Sequence, residues 1–218
     1  MDLVTLSKKY QDSYIAQAII NAIPYVGGSI DSVISKHWND YYFNRLERLI
    51  IELINRLDKL EDSQINKEYL QSEEFLDILL EIVPNVGKNR CPEKEIGFAS
   101  LLVSAITCEQ PTLKLEVLID NLINFKERDF LFIHRFNEYF QSQIQNNKEV
   151  GINPLEAQGV IHVDEKGNEF TIDDITFMCY RFVNMGLLDY ARNTLVGQYN
   201  RFFKPTKLFY RTIECLKK

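Results

Sequence analysis

The chain has 218 residues, of which 45% are hydrophobic and 26% are charged. This composition is typical of a globular protein, and it excludes a disordered chain, a collagen and a low-complexity tether. The net charge of −6 is unevenly distributed, because residues 176–218 carry eight basic and only two acidic side chains. An acidic body with a basic tail indicates either an anionic partner or a tail that packs on its own body.

The cysteines and the first residues of the chain indicate a cytoplasmic protein. The four cysteines include no CxxC pair, and no apolar run near Met1 forms a signal peptide. We therefore expect reduced, mostly buried thiols. The three histidines, His37, His134 and His162, share no ligand spacing with the cysteines, so we expect no metal site and no cofactor.

An apolar stretch at residues 14–35 is interrupted by Pro24-Tyr25-Val26-Gly27-Gly28. The pattern predicts two helices joined by a tight break, and its uninterrupted apolar length is shorter than the ~20 residues that a bilayer span needs. The simplest interpretation is a buried helical hairpin. The alternative is a segment that leaves the core and contacts a membrane or a partner, as in pore-forming toxins. The candidate residues for that role are Ile19, Ile23, Gly27, Gly28, Ile30 and Ile34.

Helical patterns continue to residue 146. The clearest pattern covers residues 36–62, where apolar residues alternate steps of four and three. Shorter patterns begin at Ser72, Pro92, Pro111 and Asp129. We expect Pro84 to end the helix that begins near Ser72. These patterns predict a helical bundle over residues 1–146.

Residues 147–218 differ in character and form the second predicted domain. The pattern predicts a hairpin at 160–172, a helix that stops at Gly186, a second hairpin at 194–203 and a last helix from Pro205. This order resembles a winged-helix module. The predicted fold class is therefore mainly α, with a helical bundle of about five to six helices and a small winged-helix-like α+β C-terminal part.

The basic side chains of this tail are suited to phosphates, which give affinity and salt dependence but little sequence choice. The candidates for contact with nucleic acid or another anionic partner are Arg181, Arg192, Arg201, Lys204, Lys207 and Arg211. The helix that would read bases is mostly apolar from Ile175 to Val183, whereas base readout needs exposed polar side chains. Protein binding is therefore favoured over DNA binding.

The sequence contains no familiar catalytic signature. It has no GxSxG nucleophile elbow, no HExxH pair, no GxGxxG fingerprint and no Walker loop. We therefore assign no catalytic residue and favour a protein that is not an enzyme. An active site assembled from residues far apart in sequence stays open.

Several short motifs resemble a family of bacterial helical proteins. They are Ile23-Pro24-Tyr25-Val26-Gly27-Gly28-Ser29-Ile30-Asp31, Asn44-Arg45-Leu46-Glu47, Ser72-Glu73-Glu74-Phe75, residues 93–102 and the Gly186-Leu187-Leu188 of the tail. Over residues 20–215 this order is similar to that of bacterial proteins of the abortive-infection alpha type. The resemblance implies a small bacterial cytosolic protein tied to phage defence or to a toxin-like function, and it carries over no catalytic residue.

The leading functional expectation is a non-enzymatic protein-interaction component of a bacterial defence or stress system, with anti-phage defence as one case. One alternative is a membrane-acting, pore-forming effector that uses the apolar stretch. Another is a winged-helix DNA-binding regulator. A protein partner is expected, nucleic acid and membrane stay open as partners, and the oligomeric state is left open.

Overall fold

A computed structural model describes residues 3–26, 35–88, 91–107, 113–158, 161, 170–191 and 202–217. Over these residues the chain is mainly helical, as the apolar periodicity predicts, with a small two-stranded sheet near the C-terminus. It divides into two compact units. The first unit consists of residues 1–124 and 215–218, and the second unit consists of residues 125–214.

Helices form most of the described part of the first unit. They are α1 (Leu3–Lys9), α2 (Tyr14–Val26), α3 (Ser35–Leu57), α4 (Glu73–Lys88), α5 (Pro92–Thr107) and α6 (Leu113–Asn124), with short 3-10 helices at Asp62–Gln64 and Tyr69–Gln71. α3 packs against α4 and α5, α2 packs against α4, and α5 packs against α6. α5 is central because it is buried on several faces, as at the successive residues Phe98, Ala99 and Ser100.

The first half of the apolar stretch is helical, and Ile15, Ile19 and Ile20 of α2 are buried. The sequence predicted a break at Pro24, but α2 continues through this residue to Val26. A proline keeps a helical φ but removes one backbone hydrogen bond and crowds the carbonyl group four residues before it, and in α2 only two helical residues follow it. Residues 27–34, which hold the rest of the predicted break, lie outside the described residues.

α4 also continues past a proline, although the sequence predicted that the helix would end there. The helix runs through Pro84 to Lys88. Burial of Val83, Val86 and Gly87 continues the apolar stripe of α4 beyond the proline. Arg45 of α3 donates a hydrogen bond from Nη1 to the carbonyl oxygen of Gly87 at 2.8 Å, which satisfies a backbone acceptor at the end of the helix. Tertiary packing therefore outweighs the local cost of the proline.

The second unit combines helices with a short antiparallel ladder. Its elements are α7 (Glu127–Gln145), α8 (Pro154–Ala157), α9 (Ile172–Asn184), β1 (Leu188–Tyr190), β2 (Phe203–Pro205) and α10 (Lys207–Cys215), the last residue of which already belongs to the first unit. The ladder pairs Leu188 with Pro205, Asp189 with Lys204, and Tyr190 with Phe203. Buried phenylalanines form much of the core of this unit.

The boundary between the units precedes α7, whereas the sequence analysis put it after this helix at residue 146. α7 belongs to the second unit because its phenylalanines pack on later helices. The Phe136 ring lies 5.6 Å from that of Phe182 in α9, and the Phe140 ring lies 5.3 Å from that of Phe209 in α10. The change of character at residue 146 therefore marks the end of a helix and not the end of a compact unit.

The two predicted hairpins fall largely in sequence that the structure does not describe. Of the first, at residues 160–172, only Ile161 and 170–172 are described, and Ile172 begins α9. Of the second, at residues 194–203, only Phe202 and Phe203 are described. Phe203 lies in β2, which pairs with β1.

Candidate interaction surface on the second unit

α9 is fixed at its first turn by reciprocal hydrogen bonds. Thr171 accepts a hydrogen bond at Oγ1 from the backbone N–H of Asp174 at 3.1 Å, and the Asp174 carboxylate accepts one from the backbone N–H of Thr171 at 3.0 Å. Such a capping box satisfies two donors that a helix start leaves unpaired. The cap of α9 is therefore Thr171, with Asp174 as its partner.

The Asp174 carboxylate is held ionised by these contacts. The hydrogen bonds from the Thr171 side chain and backbone, with the ion pair to Arg128, lower the pKa of Asp174 below its ordinary value. The Arg128 guanidinium also lies over the rings of Phe132 and Phe170, 5.6 and 5.7 Å from their centroids. A cation over an aromatic face is an attractive contact, so Arg128 joins the start of α9 to α7.

A partly buried ion pair also joins α9 to α7. Arg181 donates from Nε and Nη2 to the two carboxylate oxygens of Asp129 at 2.6 and 2.7 Å. The Asp129 side chain is 2% exposed, and its hydrogen bonds to Arg181 raise the pKa of that guanidinium. The pair sets the rotation of α9 about its own axis, because a bidentate contact between planar groups is geometrically specific.

One face of α9 is buried and the opposite face carries an exposed aromatic ring. Ile175, Met178, Cys179 and Phe182 are buried. Phe177 lies off this stripe and is 61% exposed. Because burial raises the pKa of the Cys179 thiol, this cysteine is not suited to act as a nucleophile.

Phe177 belongs to a group of aromatic side chains that we call the aromatic surface. Its members are Phe177 and Tyr180 of α9 and Tyr190 of β1, and the two tyrosine rings pack on the buried Phe203 of β2. Phe177 and Tyr180 lie one turn apart on the same face of α9. The Tyr180 ring lies 6.3 Å from that of Tyr190, and both of these rings lie 5.6 Å from that of Phe203. Tyr190 is 44% exposed, so the surface presents two large apolar rings to solvent.

Phe177 stands among the apolar residues of this helix in the sequence, and the aromatic surface was not predicted. The spacing of these residues nevertheless indicates that Phe177 is exposed. At 100° per residue, Phe177 points away from the stripe that Ile175, Met178 and Phe182 define. The contribution of Tyr190 depends on the pairing of β1 with β2, which sequence spacing does not specify.

The basic residues proposed as anion contacts have different surroundings in the described structure. Arg181 is held by Asp129, and Lys204 of β2 pairs with Glu149 through Nζ and Oε1 at 2.6 Å. The Lys204 pair joins two largely exposed side chains and contributes at most about 1 kcal/mol. Lys207 and Arg211 are exposed and lie one turn apart on α10. Arg192 and Arg201 lie outside the described residues.

The residues proposed for a membrane or partner segment are only partly described. Ile19 is fully buried in α2, and the backbone of Ile23 belongs to the same helix. Gly27, Gly28, Ile30 and Ile34 fall in the part of the chain that is not described. In the described part of the chain, no helix combines the length and the apolarity needed to cross a membrane.

The described residues also include no three His, Cys, Asp or Glu side chains arranged to hold a metal ion. No family model matches the chain, and neither the curated proteins nor the solved structures contain a significant match.

Proposed function

We propose that this protein is a non-enzymatic interaction component of a bacterial defence or stress system, with anti-phage defence as the leading case, and that the aromatic surface contacts its protein partner. The observation that carries the proposal is the exposure of Phe177, 61%, on a helix whose other face is tightly fixed. Aromatic side chains dominate the energetic centres of protein interfaces.

The energetics support a partner that covers these rings. Removing a phenylalanine side chain from water contributes about 1.5–3 kcal/mol. The capping box and the Asp129–Arg181 pair already hold α9 in place, so little of that free energy is lost in ordering the surface. The defence role is supported by the resemblance of the short motifs to bacterial abortive-infection proteins.

The proposal is tested by comparing Phe177→Ser with Ile144→Ser. Ile144 is the matched control, because it is 47% exposed on α7 of the same unit and lies outside the aromatic surface. We expect Phe177→Ser to weaken partner binding at least tenfold, the effect of losing about 1.4 kcal/mol. Both variants should keep a wild-type melting temperature, because exposed substitutions of this kind change stability by no more than about 0.5 kcal/mol.

The measurement has two parts. The tagged protein and both variants are used to isolate partners from the native host, and the recovered proteins are quantified by mass spectrometry. Strains that express each form are then challenged with phage. Loss of one specific partner and of protection with Phe177→Ser alone supports the proposal. Equal recovery and equal protection for both variants contradict it.

A second candidate function is DNA binding by a winged-helix-like module. The order α9, β1, β2 and α10 favours it, together with the exposed Lys207 and Arg211 at the start of α10. Phosphate contacts of this kind give binding that weakens with salt. A gel shift at low salt that is lost in the Lys207→Ala/Arg211→Ala double variant would support this function, and no shift at low salt would exclude it.

A further inference from the structure

The first unit contains a cleft that the proposed function does not use. It lies between the start of α2, the end of α3 and the connection between α3 and α4, and its volume is about 370 Å³. The described residues that line it come from three separate segments of the chain. An engineered apolar cavity of about 150 Å³ is large enough to bind benzene, so the size of this cleft suits a small organic molecule.

The floor of the cleft is aliphatic. It is formed by Ile15, Leu57 and Leu70, each less than 10% exposed. The half-buried Ile54 and Ile65 complete it. Among the described residues, no aromatic side chain lines the cleft, so these residues offer no ring on which a flat aromatic ligand could stack. A flexible aliphatic chain matches this lining best, because its binding depends on burying apolar surface.

The described side chains at the rim of the cleft are polar, and their charges balance. They are one acid, Asp58, one base, Lys67, and the amide of Gln71, all of them exposed. The Ser13 hydroxyl accepts a hydrogen bond from the Ala16 backbone N–H at 3.3 Å, and a hydroxyl can also donate. A charged head group would meet one side chain of its own sign, whereas an uncharged group that donates and accepts hydrogen bonds matches all four residues.

The wall formed by the connection is held in place by hydrogen bonds. The backbone N–H of Asn66 donates to the carbonyl oxygen of Ile106 in α5 at 3.0 Å. Asn66 in turn accepts hydrogen bonds from the backbone N–H groups of Tyr69, at its side chain, and of Leu70, at its carbonyl. The cleft is therefore formed before a ligand arrives, which lowers the cost of binding.

We propose that this cleft binds an aliphatic small molecule with an uncharged hydrogen-bonding head group, of the alkyl amide class. The aliphatic floor takes the chain, and the balanced rim takes the head group. This inference is independent of the aromatic surface, since every residue that carries it belongs to the first unit.

Octanamide is the probe for this proposal, and octanoate, octylamine and benzamide are the comparison compounds. Titration calorimetry with the full chain should show saturable binding of octanamide. Each of the other three compounds should bind at least tenfold more weakly, because each lacks either the neutral head group or the aliphatic chain. Absence of octanamide binding, or equal binding of all four compounds, would overturn the proposal.

A variant that fills the cleft locates the site. Ile54→Trp places a larger side chain in the cleft, and Ile51→Trp is its control on the same helix, since Ile51 is 41% exposed and does not line the cleft. Octanamide binding should be lost in Ile54→Trp and kept in Ile51→Trp. Methyl NMR of the wild-type chain with octanamide gives a second readout that needs no variant. Chemical-shift changes at Ile15, Leu57 and Leu70 support the site, and changes confined to other methyl groups refute it.

Discussion

At the scale of single residues, Glu81 is an acid whose surroundings disfavour its charge. It lies on α4, and partial burial together with the charges of Asp120 and Glu116 on α6 raises the pKa of its carboxyl group. The folded protein therefore binds this proton more tightly than the unfolded chain does. The free energy of unfolding falls as the pH rises from about the ordinary value of 4.5 through the raised folded-state pKa, and the full penalty is present at neutral pH.

We predict that Glu81→Gln stabilises the protein at neutral pH by about 0.2–0.5 kcal/mol, because the neutral amide avoids the cost of partly burying a charge and the repulsion from Asp120 and Glu116. The gain should disappear near pH 3.5, where the carboxyl is protonated in both states. Urea unfolding at both pH values measures the difference. Glu74→Gln is the control, because Glu74 lies in the first turn of α4, where the helix dipole favours an acid. A gain for Glu81→Gln that does not change with pH would refute the explanation.

Single residues also show where sequence reasoning succeeds. The acid-rich start of α9 and the burial of Ile175, Met178 and Phe182 follow from spacing alone. The exposure of Phe177 follows from the same spacing once direction around the helix is considered. The partner of Arg181 could not be predicted, because Asp129 lies 52 positions earlier in the chain and nothing in the local pattern connects them.

At the scale of elements, the contact between α3 and α4 depends on Gly87. A Cβ atom built on Gly87 would lie 1.9 Å from Cε2 and 2.2 Å from Cδ2 of Tyr42. We predict that Gly87→Ala destabilises the protein by about 1–3 kcal/mol, because the ring or the helix must move. Thermal and urea unfolding measure this loss.

Gly87→Ala is also made in a Tyr42→Ala variant, which lacks the ring. This comparison separates the clash with Tyr42 from the intrinsic effect of replacing glycine with alanine. Without the ring, Gly87→Ala should stabilise the protein by about 0.4–1 kcal/mol, since Gly87 lies within α4 and alanine restricts the unfolded chain more than glycine does. The change of sign is the decisive result. An equal loss in both backgrounds would show that Tyr42 is not the obstacle.

The ends of helices α2 and α4 were harder to predict than the helices themselves. Prolines at positions 24 and 84 are local stop signals, and both lie inside helices. In α4 the burial of Val86 and the hydrogen bond from Arg45 extend the helix past the proline, and both depend on tertiary structure. The periodic stripes of α3, α4 and α7 were predicted because they repeat within one element.

At the scale of the whole molecule, the first unit is built from two separated parts of the sequence. Residues 215–217 return to it after the second unit. The Ser100 hydroxyl donates to the carbonyl oxygen of Cys215 at 2.8 Å, and Arg56 donates to that of Lys217 at 2.7 Å. Leu216 is buried, with its Cδ2 near the position that a Cβ on Gly97 would take.

We predict that Leu216→Ala lowers the free energy of unfolding by about 2–3 kcal/mol, the lower end of the range for a buried leucine. Leu76→Ala, at an exposed position of α4, should change it by no more than about 0.5 kcal/mol. Hydrogen exchange identifies the affected region, and the amides of α5 should lose protection in Leu216→Ala. Unchanged protection of α5 would show that the returning segment does not support this unit.

The mainly helical fold class of the molecule could be predicted, because each helix shows its amphipathic periodicity within its own stretch of sequence. The division into units was not predictable, because it depends on contacts between residues of α7 and residues more than forty positions later in the chain. The cleft could not be predicted either, since its lining comes from three separate segments.

The return of residues 215–217 also sets the order in which the protein takes shape during translation. A ribosome that adds about 5–20 residues per second needs roughly 5–20 s to pass from residue 125 to residue 214. Throughout that interval the nascent chain lacks Leu216 and the Cys215 carbonyl group that accepts a hydrogen bond from Ser100. The side of α5 that these residues contact therefore stays exposed. The unit synthesised first is therefore the last to be completed.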